Sequence, residues 1–147
     1  MADLSRTADL MNSAAIHVLR RAWEVDRESG LSQAALSALS VVVFCGPSKL
    51  GELAAAEGVR SATMTGIVTG LERDGLVRRR PHGEDGRAVL VEATAAGKRV
   101  LAKARQRRID VIAERLRDLS AHELDLLWRA GHLLEERFAQ RPWRPLR

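Results

Sequence analysis

At Gly75 the hydrophobic pattern of the chain changes period, and that change limits what its middle third can become. Before the glycine, Met64, Ile67, Val68 and Leu71 recur at i, i+3, i+4 and i+7, the buried face of an α-helix. After it, Leu76-Val77-Arg78-Arg79-Arg80 and Ala88-Val89-Leu90-Val91-Glu92 have the composition and length of two short strands. The connection between them, Pro81-His82-Gly83-Glu84-Asp85-Gly86-Arg87, is polar and rich in turn residues. A helix therefore runs into a hairpin with an exposed tip.

Upstream, Gly46-Pro47 breaks the chain, and Ser48 is expected to cap a short helix from Lys49 to about Glu57 with Leu50, Leu53 and Ala54 inward. Gly58 suits the left-handed stop after it, and the next helix is expected from Arg60 or Ser61 to about Asp74. Two helices joined by a tight turn and followed by a hairpin form a winged helix-turn-helix, whose second helix enters the major groove of DNA. The outer face of that helix carries Ala62, Thr65, Gly66, Thr69, Gly70 and Arg73, with Thr63 at its margin. A merely solvated face favours long charged side chains. Each interior glycine costs roughly 0.8–1.0 kcal/mol against alanine. Close approach of the backbone to a phosphate or base edge would offset that cost, and hydroxyls can contact either. Packing against another protein helix is the competing use of such a face. Arg60 and Arg73 stand at the two ends of the helix, Arg78 and Arg80 on the first strand, and Arg87 at the hairpin tip.

The flanks are helical. Leu4, Ala8, Met11, Ala15, Val18, Ala22 and Val25 alternate steps of four and three, an a/d seam on an N-terminal helix that must bury itself against its own domain or a partner. Ser32 is expected to cap a helix from Gln33 to Phe44, and Thr94 a long one from Ala95 to about Leu119. Ser120 and Glu123 form a capping box for a last helix, Ala121 to about Ala139, with Leu124, Leu127, Trp128, Gly131, Leu134 and Phe138 on one side. The expected fold is mainly α with a small β-hairpin wing, a winged helix-turn-helix with N- and C-terminal dimerisation helices. All of 1–147 is expected to form a single domain, with a DNA-binding lobe at 33–93 and a helical dimerisation lobe at 4–28 and 95–139. Leu4, Ala8, Met11, Ala15, Val18, Leu134 and Phe138 are the expected dimer contacts.

Composition narrows the partner. The net charge is +5, from 24 basic and 19 acidic side chains, which favours a polyanion. The longest apolar run, Val41 to Cys45, is far below a membrane span, and the N-terminus lacks a signal layout. A cytoplasmic protein with no membrane partner is expected. Cys45 is the only cysteine and the histidines are scattered, so no metal site and no cofactor are expected. Cys45 closes an apolar run, which favours a buried packing role over a redox one. Trp23 and Trp128 are expected to pack in the helical lobe, with the lining of an effector cleft as the alternative use, and Trp143 lies in a basic, proline-broken tail. No phosphate loop, nucleophile elbow or zinc-protease motif exists, and Glu84 and Asp85 sit together on an exposed hairpin, so no enzyme is expected.

Several segments together resemble the MarR (multiple antibiotic resistance regulator) family: Leu50-Gly51-Glu52-Leu53-Ala54, Ser61 to Val68, Leu71 to Arg79, and above all Asp85-Gly86-Arg87 followed by Val89-Leu90-Val91 and Thr94-Ala95-Ala96-Gly97. The order of elements is similar from about residue 5 to 139. The resemblance implies an obligate homodimer with interlocked terminal helices, bound to a pseudo-palindromic double-stranded DNA operator. It implies that Ser61, Ala62, Thr63, Thr65 and Gly66 face the major groove and that Arg87 enters the minor groove, steadied by a salt bridge from Asp85. It also implies release of DNA by a small, often aromatic or phenolic, effector in a cleft between the lobes; no effector-binding residue is singled out. Arg60 stands where the family commonly has a capping Ser or Asp, and Gly66 where a basic side chain is frequent. Base reading therefore shifts towards Thr65, Thr69 and the wing. The expected function is a DNA-binding transcriptional regulator, a repressor released by an effector. The alternatives are a winged-helix protein-interaction module, or a redox-responsive DNA-binding regulator acting through Cys45.

Overall fold

The computed structural model of the chain describes residues 3–82 and 88–138. Within them the elements follow in the order α1 (Leu4–Asp26), a single 3-10 turn (Arg27–Ser29), α2 (Gln33–Cys45), β1 (Ser48–Lys49), α3 (Leu50–Ala56), α4 (Ser61–Arg73), β2 (Val77–His82), β3 (Ala88–Ala93), α5 (Ala95–Arg115) and α6 (Ala121–Phe138). The core is built around the middle of the chain. Leu39 and Val42 of α2, Leu53 of α3, Met64, Val68 and Leu71 of α4, Val77 of β2, Val91 of β3 and Leu101 of α5 meet in one buried cluster. The 3.6-residue spacing on α4 thus delivers its apolar side to this core, with Ile67 half-buried at the edge.

Local chemistry sets the boundaries of these elements. Ser32 Oγ accepts from the Ala35 amide at 3.2 Å and Thr94 Oγ1 from the Gly97 amide at 3.1 Å, so both expected caps are in place. At α6 the Ser120 amide donates to Glu123 at 2.8 Å while the Glu123 amide donates to Ser120 Oγ at 3.3 Å, a reciprocal capping box. These hydrogen bonds from Ser120 hold the Glu123 carboxyl below the ordinary carboxylate value. Gly58, at φ +63°, is in the left-handed region that its place after α3 requires.

Ser48 departs from expectation. It does not cap α3 but pairs with Val91 as part of β1, fully buried, with its hydroxyl donating to the Gly46 carbonyl at 2.9 Å. Lys49 takes the cap position instead, and its amide donates to Glu52 at 2.7 Å. The wing is therefore a three-stranded antiparallel sheet in the order β1-β3-β2. In its hairpin Val77 faces Ala93 and His82 faces Ala88, so β2 begins after Leu76 and continues through Pro81. Proline is tolerated there because β2 is an edge strand with an unpaired side.

The helical flanks are built differently. α1 packs on α5 near its C-terminal end, where Ala22 and Asp26 are buried. The Asp26 carboxylate lies 3.2 Å from Arg108 of α5 and locks the two helices there. Of the expected seam, Leu4, Ala8, Ala15 and Val18 stay exposed and Met11 is half-buried. α5 ends at Arg115, short of the expected Leu119. α6 has no buried residue and makes only glancing contact with its own chain.

Candidate nucleic-acid interface

The surface in question is built on α4. Arg60 precedes it with extended backbone (φ −69°, ψ 147°) and supplies no side-chain cap, and neither does Ser61, which is the first helical residue. The first-turn amides are thus left without a side-chain acceptor, and an uncapped helix start of this kind favours an anion or a base-edge acceptor. Ser61, Ala62, Thr63, Thr65, Gly66 and Thr69 are all exposed, while Met64, Val68 and Leu71 bury the opposite side. A Cβ placed on Gly66 or Gly70 would meet nothing within 4 Å. These glycines do not make room for a neighbouring element of the described chain, so they leave an open shelf.

The hairpin is fastened to this shelf by one arginine. Alternation along β2 puts Arg79 on the same side as Val77, facing α4, and Arg78 and Arg80 on the other. Arg79 pairs with Glu72 of α4, and its backbone amide also donates to Glu72 at 3.1 Å. A further guanidinium nitrogen donates to Thr69 Oγ1 at 3.1 Å. On the other face, Arg78 and Arg80 flank Glu92 of β3, with Arg80 Nε 2.9 Å from its carboxylate. The hydrogen bond from Arg78, and then the charges of Arg78 and Arg80, hold the Glu92 carboxyl below the ordinary carboxylate value.

Of the residues singled out by sequence, the fold gathers Arg60, Ser61, Ala62, Thr63, Thr65, Gly66 and Thr69 on one surface. Arg73 is exposed at the far end of α4, with its Nε 3.3 Å from Asp74. Arg78 and Arg80 are exposed but turned to the face that carries Glu92, away from the α4 shelf. Asp85 and Arg87, with the rest of the hairpin tip, lie outside the described residues, as does Trp143. Arg79 and Glu72 were missed. The signal for them was the odd parity of Arg79 among its neighbours, which already set it on the side of Val77. Cys45 is half-buried at the end of α2, less enclosed than its apolar run suggested.

A family model described as the MarR family matches residues 31–89. An uncharacterized HTH-type transcriptional regulator of Mycobacterium leprae is 33% identical over 95% of this chain and 99% of its own length. The chain belongs to the MarR family. A solved transcriptional regulator of Thermotoga maritima, also similar, superposes with a TM-score of 0.78 at 29% identity, covering 93% of this chain and 99% of that one. The HTH-type transcriptional repressor YetL of Bacillus subtilis is 41% identical over 47% of this chain and 42% of its own. MarR-family regulators bind DNA, act as dimers and are not enzymes, so this chain is a DNA-binding transcriptional regulator. No single helix among the described residues is long and apolar enough to cross a membrane.

Proposed function

We propose that the chain acts in the cytoplasm as a homodimeric, sequence-specific repressor, and that a small molecule releases it from its operator. The observation that carries the DNA-reading part is the open side of α4: small and hydroxyl-bearing residues, an uncapped helix start and a hairpin pinned alongside by Arg79. In a dimer two such helices would enter successive major grooves about 34–36 Å apart, which favours an inverted repeat. A reading lobe at 33–93 and a dimerisation lobe at 4–28 with 95–139 are supported by a core cluster drawn mostly from 38–91, with Leu101 of α5 joined to it, and by the absence of buried residues on α6. Repression is favoured by the similarity to the Bacillus subtilis transcriptional repressor YetL. Release by an effector is favoured by a cleft of about 360 Å³ where α1, α2 and α5 meet, lined by Trp23, Asp26, Leu36, Leu101 and Arg108. A ligand there would act only through a difference in affinity between the DNA-bound and free geometries.

The test is titration of duplex DNA across salt concentrations. A repressor of this kind loses affinity steeply as salt rises, because bound phosphates release their counterions. A log–log slope near zero would reject DNA binding and favour a protein-docking use of the same shelf.

A further inference from the structure

Two hydroxyls on α4 are already committed to opposite ends of a hydrogen bond, and this limits what each can recognise. Thr65 Oγ1 donates to the Ser61 carbonyl one turn back at 2.9 Å. Its proton is spent on the backbone and its lone pairs face outward. Thr69 stands one turn further on and is in the reverse state: its Oγ1 accepts from Arg79 at 3.1 Å. It donates to no acceptor among the described residues, so its proton is what remains to offer. Arg79 is held in that role by Glu72, which takes both its guanidinium and its backbone amide. Both threonines are exposed, and their spacing of four places them on one side of the helix.

We infer that Thr65 reads DNA as a hydrogen-bond acceptor and Thr69 as a donor, an assignment that rests on α4 being the groove-facing helix. Thr65 lies in the N-terminal half of α4, the part of such a helix that meets base edges. In the major groove adenine N6 and cytosine N4 carry protons, whereas guanine O6 and thymine O4 carry only lone pairs. An acceptor-only hydroxyl therefore separates amino bases from keto bases on the strand it faces: adenine or cytosine over guanine or thymine. Ala62 and Gly66 beside it have no polar side-chain atom to compete, and the space at Gly66 lets a base edge come close. Thr69 sits two turns into the helix on the side where the wing is fastened, at the margin of the reading face where groove-flanking phosphates run. Phosphate oxygens only accept, which matches a hydroxyl left with only a proton to give. Arg79 is then a positioning residue that sets the polarity of Thr69.

The experiment is selection of bound duplexes from a random pool with the full chain as wild type, Thr65→Val, Thr65→Ser and Thr69→Val. Wild type is expected to show one position per half-site that holds adenine or cytosine against guanine or thymine. Thr65→Val keeps the shape without the acceptor and loses that preference alone, while Thr65→Ser retains it. Removing the exocyclic amino group from that base weakens wild type by roughly threefold or more per half-site and leaves Thr65→Val unchanged. Thr69→Val weakens all sequences alike and keeps the base profile. The assignment is overturned if Thr65→Val selects the wild-type profile, if the position it controls prefers a keto base, or if Thr69→Val alters base preference. A wild-type chain that enriches no sequence would instead overturn the groove-facing reading of α4, and this assignment with it.

Discussion

Among the arginines of the wing, charge is already partly spent inside the protein. Arg78 and Arg80 share Glu92, and Arg79 is engaged by Glu72 and Thr69. Pairing of this kind at the surface is weak and salt-sensitive, but it orients long side chains that would otherwise sample many rotamers. Glu92 is the group whose protonation tests it. Its folded value lies below the ordinary carboxylate value of 4.5, so the ionised form is the one that folding favours. The stability it adds is complete above that ordinary value and is lost as pH falls through the lower folded one. Wild type should therefore be more stable than Glu92→Gln at neutral pH, and the gap should close as pH falls below the ordinary value of 4.5 and through the lower folded one. Denaturant midpoints of the two proteins across pH check this, and a gap independent of pH would show that the pairs contribute nothing. Arg87 lies outside the described residues, and its expected role rests on the family resemblance, which puts a basic side chain of the wing in the narrow minor groove. Arg87→Ala is expected to lower affinity for a selected operator about tenfold or more, with the thermal unfolding midpoint unchanged. Unaltered operator affinity would remove Arg87 from the interface.

At the junction between wing and α5 two backbone segments approach closely. Thr94 closes it from both sides: its hydroxyl donates to the Gly75 carbonyl at 2.7 Å and accepts from the Gly97 amide, while its own amide donates to the Leu76 carbonyl at 3.0 Å. Gly97 lies so close that an added Cβ would sit 2.1 Å from the Leu76 carbonyl oxygen, which is backbone and cannot swing aside. Gly97→Ala should thus separate α5 from the start of β2 and cost about 1–3 kcal/mol or more, as overpacking does. Urea denaturation reads this directly, and a stability equal to wild type would mean that the two backbones can part without cost. The sequence already displayed much at this scale, because caps and hydrophobic period are local: Ser32, Thr94 and the Ser120–Glu123 box all do what their spacing implied. What it hid depends on contacts far along the chain. Ser48 looks like a helix cap until Val91 arrives beside it, and Pro81 looks like a turn until β2 proves to be an edge strand. The Glu72–Arg79 pair was half visible, in the parity of the strand but not in the choice of partner. The open side of α4 was legible in its composition, since small and hydroxylated residues on a helix face are a poor use of a solvated surface.

Taken as a whole, the protomer exposes what a stable monomer would hide. α6 presents Leu124, Leu127, Trp128, Leu134 and Phe138 on one side and Leu126 and Leu133 on the other, and all of them are exposed. An apolar face of this extent on an amphipathic helix is built to be covered. α1 leaves Leu10, Ile16, Val18, Leu19 and Trp23 open in the same way. The two ends of the chain therefore offer apolar area that a second copy can cover, consistent with a family that acts as dimers. α5 connects that area to the winged helix-turn-helix: Leu101 sits in the central core, and Arg108 grips the end of α1. Separating the two copies would then cost operator binding without touching α4. Replacing Leu134 and Phe138 together by Glu buries charges in the seam, a penalty of several kcal/mol, and is expected to convert the dimer to a monomer in sedimentation analysis. Because the two changes lie on a helix with no buried residue in its own chain, the core around Met64 and Leu39 should survive, and helical circular dichroism should stay mostly intact. Affinity for a palindromic operator should fall by about a hundredfold or more, since each half-site must now bind alone, while weak, salt-dependent binding to a single half-site persists. A dimer that withstands both substitutions would move the seam away from α6 and leave the exposure of its leucines without a purpose.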